Sequence, residues 1–403
     1  MTDDPFARWH LTPVVNASGT MTRIGASRVP RDVRACVDRI LASFVDMDEL
    51  QSRAGSVIAR VTGAQAGCIA SCSAAAVTQT VAACLTGADL ARIEALPWAA
   101  GERRVLMRMG HMVNYGAPID QAIRLAGAEV VPVGTAAACE TWHLADALAA
   151  GAAAAMYIVS HHTVRENELP MDVFINLCRE HGVPAIVDMA SEHDLTGPIE
   201  LGASAVIHSG HKFLSGVTSA VVAGSSDLIR ATYLQHRGIG RTMKAGKESV
   251  VGAMAALELW EKRDHDAVRR AEETRVAHWM RELADMPGVC VTTHADWTGN
   301  PITRLRITIA PRNSGFHAWE LAARLAARTP GIVVRDDLVE RQELYLDPCN
   351  LTDAEAAAVA VAIREEVDRF QARGDGRRQS WSDVKLAREA AILSWSGNRD
   401  GAL

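Results

Sequence analysis

Between residues 67 and 223, short β-rich runs alternate with segments of helical length. This alternation constrains the fold more tightly than any other feature of the 403-residue chain. Strands are predicted at 67–70, 104–109, 129–133, 155–160, 185–187, 205–208 and 219–223, with helices between them at 74–86, 118–126, 143–149 and 171–181. A chain that returns repeatedly from strand through helix to strand builds a parallel sheet covered on both faces. The reading is therefore an α/β fold with a mainly parallel, seven-stranded sheet. In such sheets ligands collect at the carboxyl ends of the strands.

The flanking regions have a different character. Residues 1–45 read as an arm, punctuated by Pro13, Gly19, Gly25 and Pro30, with helical pattern only over 31–44. The large α/β domain is expected over 46–250. A long helical stretch, 247–285, bends or breaks near Asp264. It leads into a smaller C-terminal α+β domain, which with the linking helix spans 251–372. Strands are predicted there at 288–293, 303–309, 332–335 and 343–346, and helices at 318–327 and 354–371. Thr352, with Glu355 three residues on, is a capping-box start for the last helix. Residues 373–403 form a polar tail, expected to be loosely ordered or to pack on a partner subunit.

Composition removes several classes of function. The chain is 48% hydrophobic and 22% charged, enough to fill a large core in two packed units. A formal net charge of -6 argues against a broad basic surface, and so against a nucleic-acid partner. The eight cysteines (36, 68, 72, 84, 139, 178, 290, 349) include no CxxC pair and no zinc-ligand spacing. No metal is expected, and the thiols read as buried and reduced in a cytoplasmic protein. The start, MTDDPFARWH, is acidic and lacks the apolar region of a signal peptide. The apolar stretch 144–159 is broken by Asp146 and Gly151, so it reads as a helix and a buried strand rather than a membrane span.

Two charged residues at the expected active edge point to chemistry. Asp188 closes the run Pro184-Ala185-Ile186-Val187-Asp188, and Lys212 stands just past the next strand in Ser209-Gly210-His211-Lys212. A buried carboxylate requires a cationic partner, and a lysine amine can form a Schiff base with an aldehyde. Together they suit pyridoxal 5′-phosphate (PLP): Lys212 as covalent anchor, Asp188 keeping the pyridine nitrogen protonated. The alternatives are a strand-end cap for Asp188 and, for Lys212 taken alone, a surface lysine. Ser209 is placed to hydrogen-bond the cofactor phosphate, and Gly210 permits a tight turn.

Other candidates surround this pair. Ser71 to Ala76 follow a strand and open a helix, so the amides at Ser73 and Ala74 are a phosphate cradle; a tightly packed helix start is the alternative. His111, after the strand 104–109, is a candidate to stack on the pyridine ring or contact substrate, or a structural histidine. His161 and His162 follow the strand 155–160; adjacent strand residues face opposite ways, which argues against a shared metal and leaves one, His162, to line the pocket. Arg241, Lys244 and Lys247 gather before a helix, where cations oppose the dipole, so an anion is expected nearby. Arg335 is placed to fork a substrate carboxylate or to make a surface ion pair.

In order along the chain, Val14–Thr20 (VVNASGT), Gly116–Val133 (GAPIDQAIRLAGAEVVPV), Val187–Ala190, Ser209–Lys212 and Arg241–Glu248 resemble the selenocysteine-synthase-like branch of the fold-type I PLP enzymes. The likeness spans roughly residues 12 to 365. Within the branch it is similar to the D-glucosaminate-6-phosphate ammonia-lyase-like proteins. The resemblance implies PLP on Lys212, Asp188 at the pyridine nitrogen, Ser73 and Ser209 near the phosphate, and a homodimer or larger homo-oligomer with active sites at subunit interfaces. Three departures argue against a tRNA substrate. The tRNA-binding region of bacterial selenocysteine synthases is not seen ahead of the catalytic pattern, His211 stands where those synthases carry aspartate, and Ser215-Gly216-Val217-Thr218-Ser219 replaces their glycine-rich stretch.

The expected reaction is removal of the β-hydroxyl and amino group from a hydroxy amino acid or amino-sugar acid, giving a 2-keto acid and ammonia. Lys212 would take the Cα proton. Racemisation or epimerisation, and aldol cleavage, use the same Asp–Lys pair and stay open as alternatives. So does a PLP-fold binding protein without catalysis.

Overall fold

The computed structural model describes residues 4–373 and 379–394. The chain divides into two compact units. One is Ala26–Arg263, and the other joins the segment up to Gly25 with that from Asp264 onward. Twelve strands are present among the described residues: Val14–Ala17 (β1), Ala66–Ala70 (β2), Arg104–Arg108 (β3), Glu129–Val133 (β4), Ala154–Ile158 (β5), Ala185–Asp188 (β6), Ala205–Ser209 (β7), Ala220–Gly224 (β8), Val289–Ala295 (β9), Thr303–Ile309 (β10), Gly331–Val334 (β11) and Glu343–Leu346 (β12).

In the Ala26–Arg263 unit, β2 to β8 form one sheet in the order β2-β8-β7-β6-β5-β3-β4. Neighbours from β7 to β4 pair in parallel, while β8 runs antiparallel to β2 and β7. β5 to β8 are buried at every position, because helices cover both faces. Along β5, Ala154, Met156 and Ile158 join the apolar cluster that includes Ala76 and Val77 of the helix Ser73–Thr86. Ala155 and Tyr157 join the opposite cluster with Phe174. The alanines of Ser73–Thr86 let that helix lie close to the sheet, and most of its residues are buried.

The helix predicted over 247–285 is two helices, Lys247–Lys262 and His265–Glu282. Asp264 caps the second, accepting the Ala267 amide at 2.8 Å.

The other unit contains the antiparallel sheet β12-β10-β9 and the parallel pair β1-β11. Trp279, Phe316, Leu305 and Leu344 are fully buried in its core, and the Trp279 indole donates to the Ala356 carbonyl at 2.8 Å. Arg304 is buried between Asp347, 2.7 Å from its Nε, and Asp296, which bonds its Nη1. The capping box at Thr352 forms: its amide donates to Glu355 at 2.9 Å, and the Glu355 amide donates back to its hydroxyl at 3.2 Å.

Two regions differ from the sequence reading. The arm contains a strand, β1, paired with β11, and a short helix, Pro5–Trp9. The tail contains a docked helix, Trp381–Leu393. The Trp319 indole donates to the Gln379 carbonyl at 2.9 Å, the Trp381 indole to Glu340 at 3.1 Å, and Arg388 to Asp336 at 2.7 Å. Tail residues 374–378 and 395–403 lie outside the described residues. All eight cysteines are unpaired, but Cys36 and Cys290 are exposed rather than buried, on the outer faces of a helix and of β9. Among the described residues no helix is long and apolar enough to cross a membrane.

Candidate active site

Asp188 is the last residue of β6, and Lys212 follows the end of β7, the neighbouring strand. The turn carrying Lys212 is held by backbone bonds: Gly210 N–H to Ser219 O at 2.8 Å, Gly216 N–H to Gly210 O at 2.7 Å, and Ser215 N–H to Lys212 O at 3.0 Å. Gly210 is required here, because a Cβ would lie 2.0 Å from the Ser219 hydroxyl oxygen. Ser209 Oγ and His211 Nδ1 are 3.0 Å apart, and Ser27 donates to the His211 carbonyl at 2.7 Å. The lysine therefore projects from a turn tied down on both sides.

The electrostatics join these groups. Burial raises the Asp188 carboxyl to about 6, while the Lys212 charge and the Ala190 amide, at 3.2 Å, oppose the rise. Burial lowers the His211 imidazole, and the Lys212 charge adds to that effect. Burial raises the Tyr115 phenol, helped by the charges of Asp188 and Cys72. Tyr115 is a further candidate near Asp188 that the sequence does not mark, since a tyrosine in an irregular loop carries no periodic signal.

Cys72 precedes the helix Ser73–Thr86 without capping it by a side-chain hydrogen bond. The Ser73 hydroxyl is buried and has no hydrogen-bond partner among the described residues. Ser73 and Ala74 thus present first-turn amides and an unsatisfied hydroxyl to whatever lies ahead of the helix.

His111 is fully buried. Its Nδ1 accepts the Ile158 amide at 3.2 Å and its Nε2 lies 2.8 Å from Glu168 Oε1. His161 and His162 lie beyond β5 in a turn, so strand alternation does not part them: their ring centroids are 3.8 Å apart. Among the described residues no cluster of three or more His, Cys, Asp or Glu is arranged to hold a metal.

The cationic run separates. Arg241 and Lys244 are exposed. Lys247, expected at the same anion, instead donates to the carbonyls of Leu41 (3.1 Å) and Ser43, at the C-terminal end of the helix Arg31–Leu41. The negative end of that helix supplies the anion. In its own unit, Arg335 bonds Asp337 at 2.8 Å and stacks 4.9 Å from the Trp297 ring.

These residues fit PLP. The buried Asp188 carboxylate, raised toward neutrality, accepts the Ala190 amide and has no cationic hydrogen-bond donor among the described residues, which is what a pyridinium N–H supplies. An unsatisfied hydroxyl on uncapped helix amides matches a phosphate, and a lysine stands one strand away.

No family model matches the chain. It is 34% identical over 366 residues to D-glucosaminate-6-phosphate ammonia lyase of Salmonella typhimurium (strain 14028s / SGSC 2262), covering 91% of this chain and 98% of the relative. The chain belongs to that lyase's family. A solved structure of D-glucosaminate-6-phosphate ammonia-lyase superposes with a TM-score of 0.82 at 32% identity, over 92% of this chain and 100% of the other. A 5′-C-glycyluridine monooxygenase-decarboxylase from Streptomyces sp is also 34% identical, covering 87% of this chain and 88% of its own. Aspartate aminotransferase from Thermus thermophilus shares the fold alone, with a TM-score of 0.55 at 14% identity over 90% of this chain and 93% of its own. The fold is that of fold-type I PLP enzymes, and the cofactor is pyridoxal 5′-phosphate.

Proposed function

We propose that this PLP-dependent enzyme is an ammonia lyase for a phosphorylated amino-sugar acid or similar anionic hydroxy amino acid, yielding a 2-keto acid and ammonia. The observation that carries the reading is the Asp188–Lys212 pair on adjacent strand ends, within a chain that matches the lyase over 98% of its length.

When bound, PLP supplies a sink for the electron pair left at the substrate Cα. Lys212 Nζ is the base that takes the Cα proton, and in its ammonium form it returns a proton to the departing β-hydroxyl, which leaves as water. Asp188 holds the compensating charge for a protonated ring nitrogen. The Ser73 hydroxyl and the Ser73 and Ala74 amides hold the cofactor phosphate, with the Ser209–His211 pair beside Lys212. The released unsaturated amine takes up water to give the keto acid and ammonia. Arg241 and Lys244 meet the substrate's anionic group, His162 lines the pocket, and Arg335 is the candidate fork for its carboxylate.

The enzyme is read as a cytoplasmic homo-oligomer. Eight unpaired thiols support the compartment, and the fully exposed Phe44 and largely exposed Trp98 support a partner surface.

The test has two stages. Wild type with PLP should show a visible band that borohydride abolishes and that Lys212→Ala lacks, and should then release ammonia and keto acid from D-glucosaminate 6-phosphate. A band without ammonia release from any amino-sugar acid or hydroxy amino acid overturns the lyase reading. A second reading, oxidative decarboxylation, is favoured by the equal identity to the Streptomyces protein, though over 88% of that relative against 98% of the lyase. Oxygen uptake with carbon dioxide release would mark it. Cα exchange in deuterated water without ammonia would mark racemisation.

A further inference from the structure

His111 is committed at both ring nitrogens. Its Nδ1 faces the Ile158 backbone amide at 3.2 Å. An amide N–H only donates, so Nδ1 is the acceptor and carries no proton. The proton of the neutral ring therefore sits on Nε2 and is donated to Glu168 Oε1 at 2.8 Å. Protonating the ring would set an Nδ1–H against the Ile158 N–H, two donors face to face in a site with no exposure.

Glu168 is itself held. It accepts the Tyr157 hydroxyl at 2.9 Å on the same oxygen that meets His111, and that hydroxyl also reaches the Leu169 carbonyl at 3.1 Å. Tyr157 meets the His111 ring edge to face, with centroids 4.6 Å apart at 81°. Buried Arg108 comes within 4.0 Å of the same carboxylate oxygen and bonds the carbonyls of Val164 and Glu166, the latter at 3.0 Å. Arg165 lies 3.7 Å from the other carboxylate oxygen. This network reaches the cofactor site directly, since Ile158 pairs with Asp188 across β5 and β6.

We infer that Glu168 is a positioning residue that fixes His111 as a neutral Nε2–H imidazole, so that whatever His111 contributes to catalysis comes from its ring and not from a proton. Glu168 and Arg108 act on the ring in opposite senses. Burial outweighs the carboxylate and keeps the imidazole below its ordinary pKa. The inference rests on the reading of Asp188 and Lys212 as the cofactor pair, and not on the identity of the substrate.

The test uses holoenzyme labelled with [15N]histidine, the His111 ring signals being assigned by their loss in His111→Phe. The expected result at neutral pH is one protonated nitrogen, Nε2, in line with an imidazole that burial holds below its ordinary pKa. A His111 ring protonated on both nitrogens at neutral pH, or one carrying its single proton on Nδ1, overturns the proposal. Glu168→Ala should shift the visible cofactor band and speed cofactor loss on dialysis about tenfold. Glu168→Gln, whose amide oxygen can accept the same Nε2–H, should restore both. A Gln variant as impaired as the Ala variant also overturns it. Should Glu168→Ala not fold, the wild-type ring signals and the Gln variant still decide. Absence of the cofactor band in wild type would sink the PLP reading instead, and failure to release ammonia would leave this inference standing.

Discussion

Asp188 and Lys212 oppose each other's surroundings: burial drives the carboxyl toward its neutral form, and the lysine's charge draws it back. The net folded value of about 6 lies above the ordinary 3.8, so the folded protein keeps this proton to higher pH than the unfolded chain does. Stability of the cofactor-free protein should therefore fall as pH rises between about 4 and about 6. Asp188→Asn removes that loss. It is expected to stabilise the cofactor-free protein at pH 7 by on the order of 1–3 kcal/mol, with the gain gone below about pH 4. Activity should drop at least about a hundredfold. Urea denaturation across pH, beside kcat, checks both signs.

Ser73 offers a buried hydroxyl with no partner among the described residues, on a helix start that Cys72 does not cap by a side-chain bond. Ser73→Ala should leave folding of the cofactor-free protein nearly unchanged while weakening PLP binding about tenfold, the loss of one charge-assisted hydrogen bond of about 1.4 kcal/mol. Equilibrium dialysis measures the affinity, and a Tm without PLP measures the stability. An unchanged PLP affinity would remove Ser73 from the cradle.

The cations before the helix Lys247–Lys262 should divide by function. Lys247 holds the carbonyl end of Arg31–Leu41, so Lys247→Ala is expected to cost about 0.5–1 kcal/mol of stability with little change in KM. Arg241→Ala and Lys244→Ala, altering exposed side chains, should raise KM for a phosphorylated substrate and leave Tm unchanged. Steady-state kinetics and thermal melts on the same three variants separate the roles.

Arg304 in the C-terminal unit is buried with Asp347 and Asp296, which its charge holds below the usual carboxylate range, Asp296 at about 2. Arg304→Leu leaves two buried carboxylates without their cation and should destabilise the protein by about 3–5 kcal/mol at pH 7. The two carboxyls then take up protons more readily, so the loss should shrink as pH falls toward about 4. Denaturant unfolding at the two pH values tests this.

What could be read from the chain follows local physics. β10 and β12 lie where their patterns put them, and Asp264 starts a helix where the long pattern breaks, because backbone pairing and capping act over a few residues. Asp188 and Lys212 were legible for the same reason, each standing at the end of an apolar run. The capping box at Thr352 needs only two side chains three residues apart.

Distant partners left no such mark. β1 is four residues long in a segment full of turn formers, and it is a strand because β11 offers an edge. Lys247 serves a helix end some two hundred residues earlier in sequence, which no pattern around Lys247 announces. Glu168 looks like an ordinary loop acid until folding brings it against His111 and Tyr157. By itself the sequence determined most of the strands and helices and the caps at Asp264 and Thr352, and it marked Asp188 and Lys212 as candidates. Only the tertiary structure decided which tautomer His111 takes, which cation is spent on a helix end and where the arm pairs, because hydrogen-bond geometry and burial belong to neighbours far along the chain.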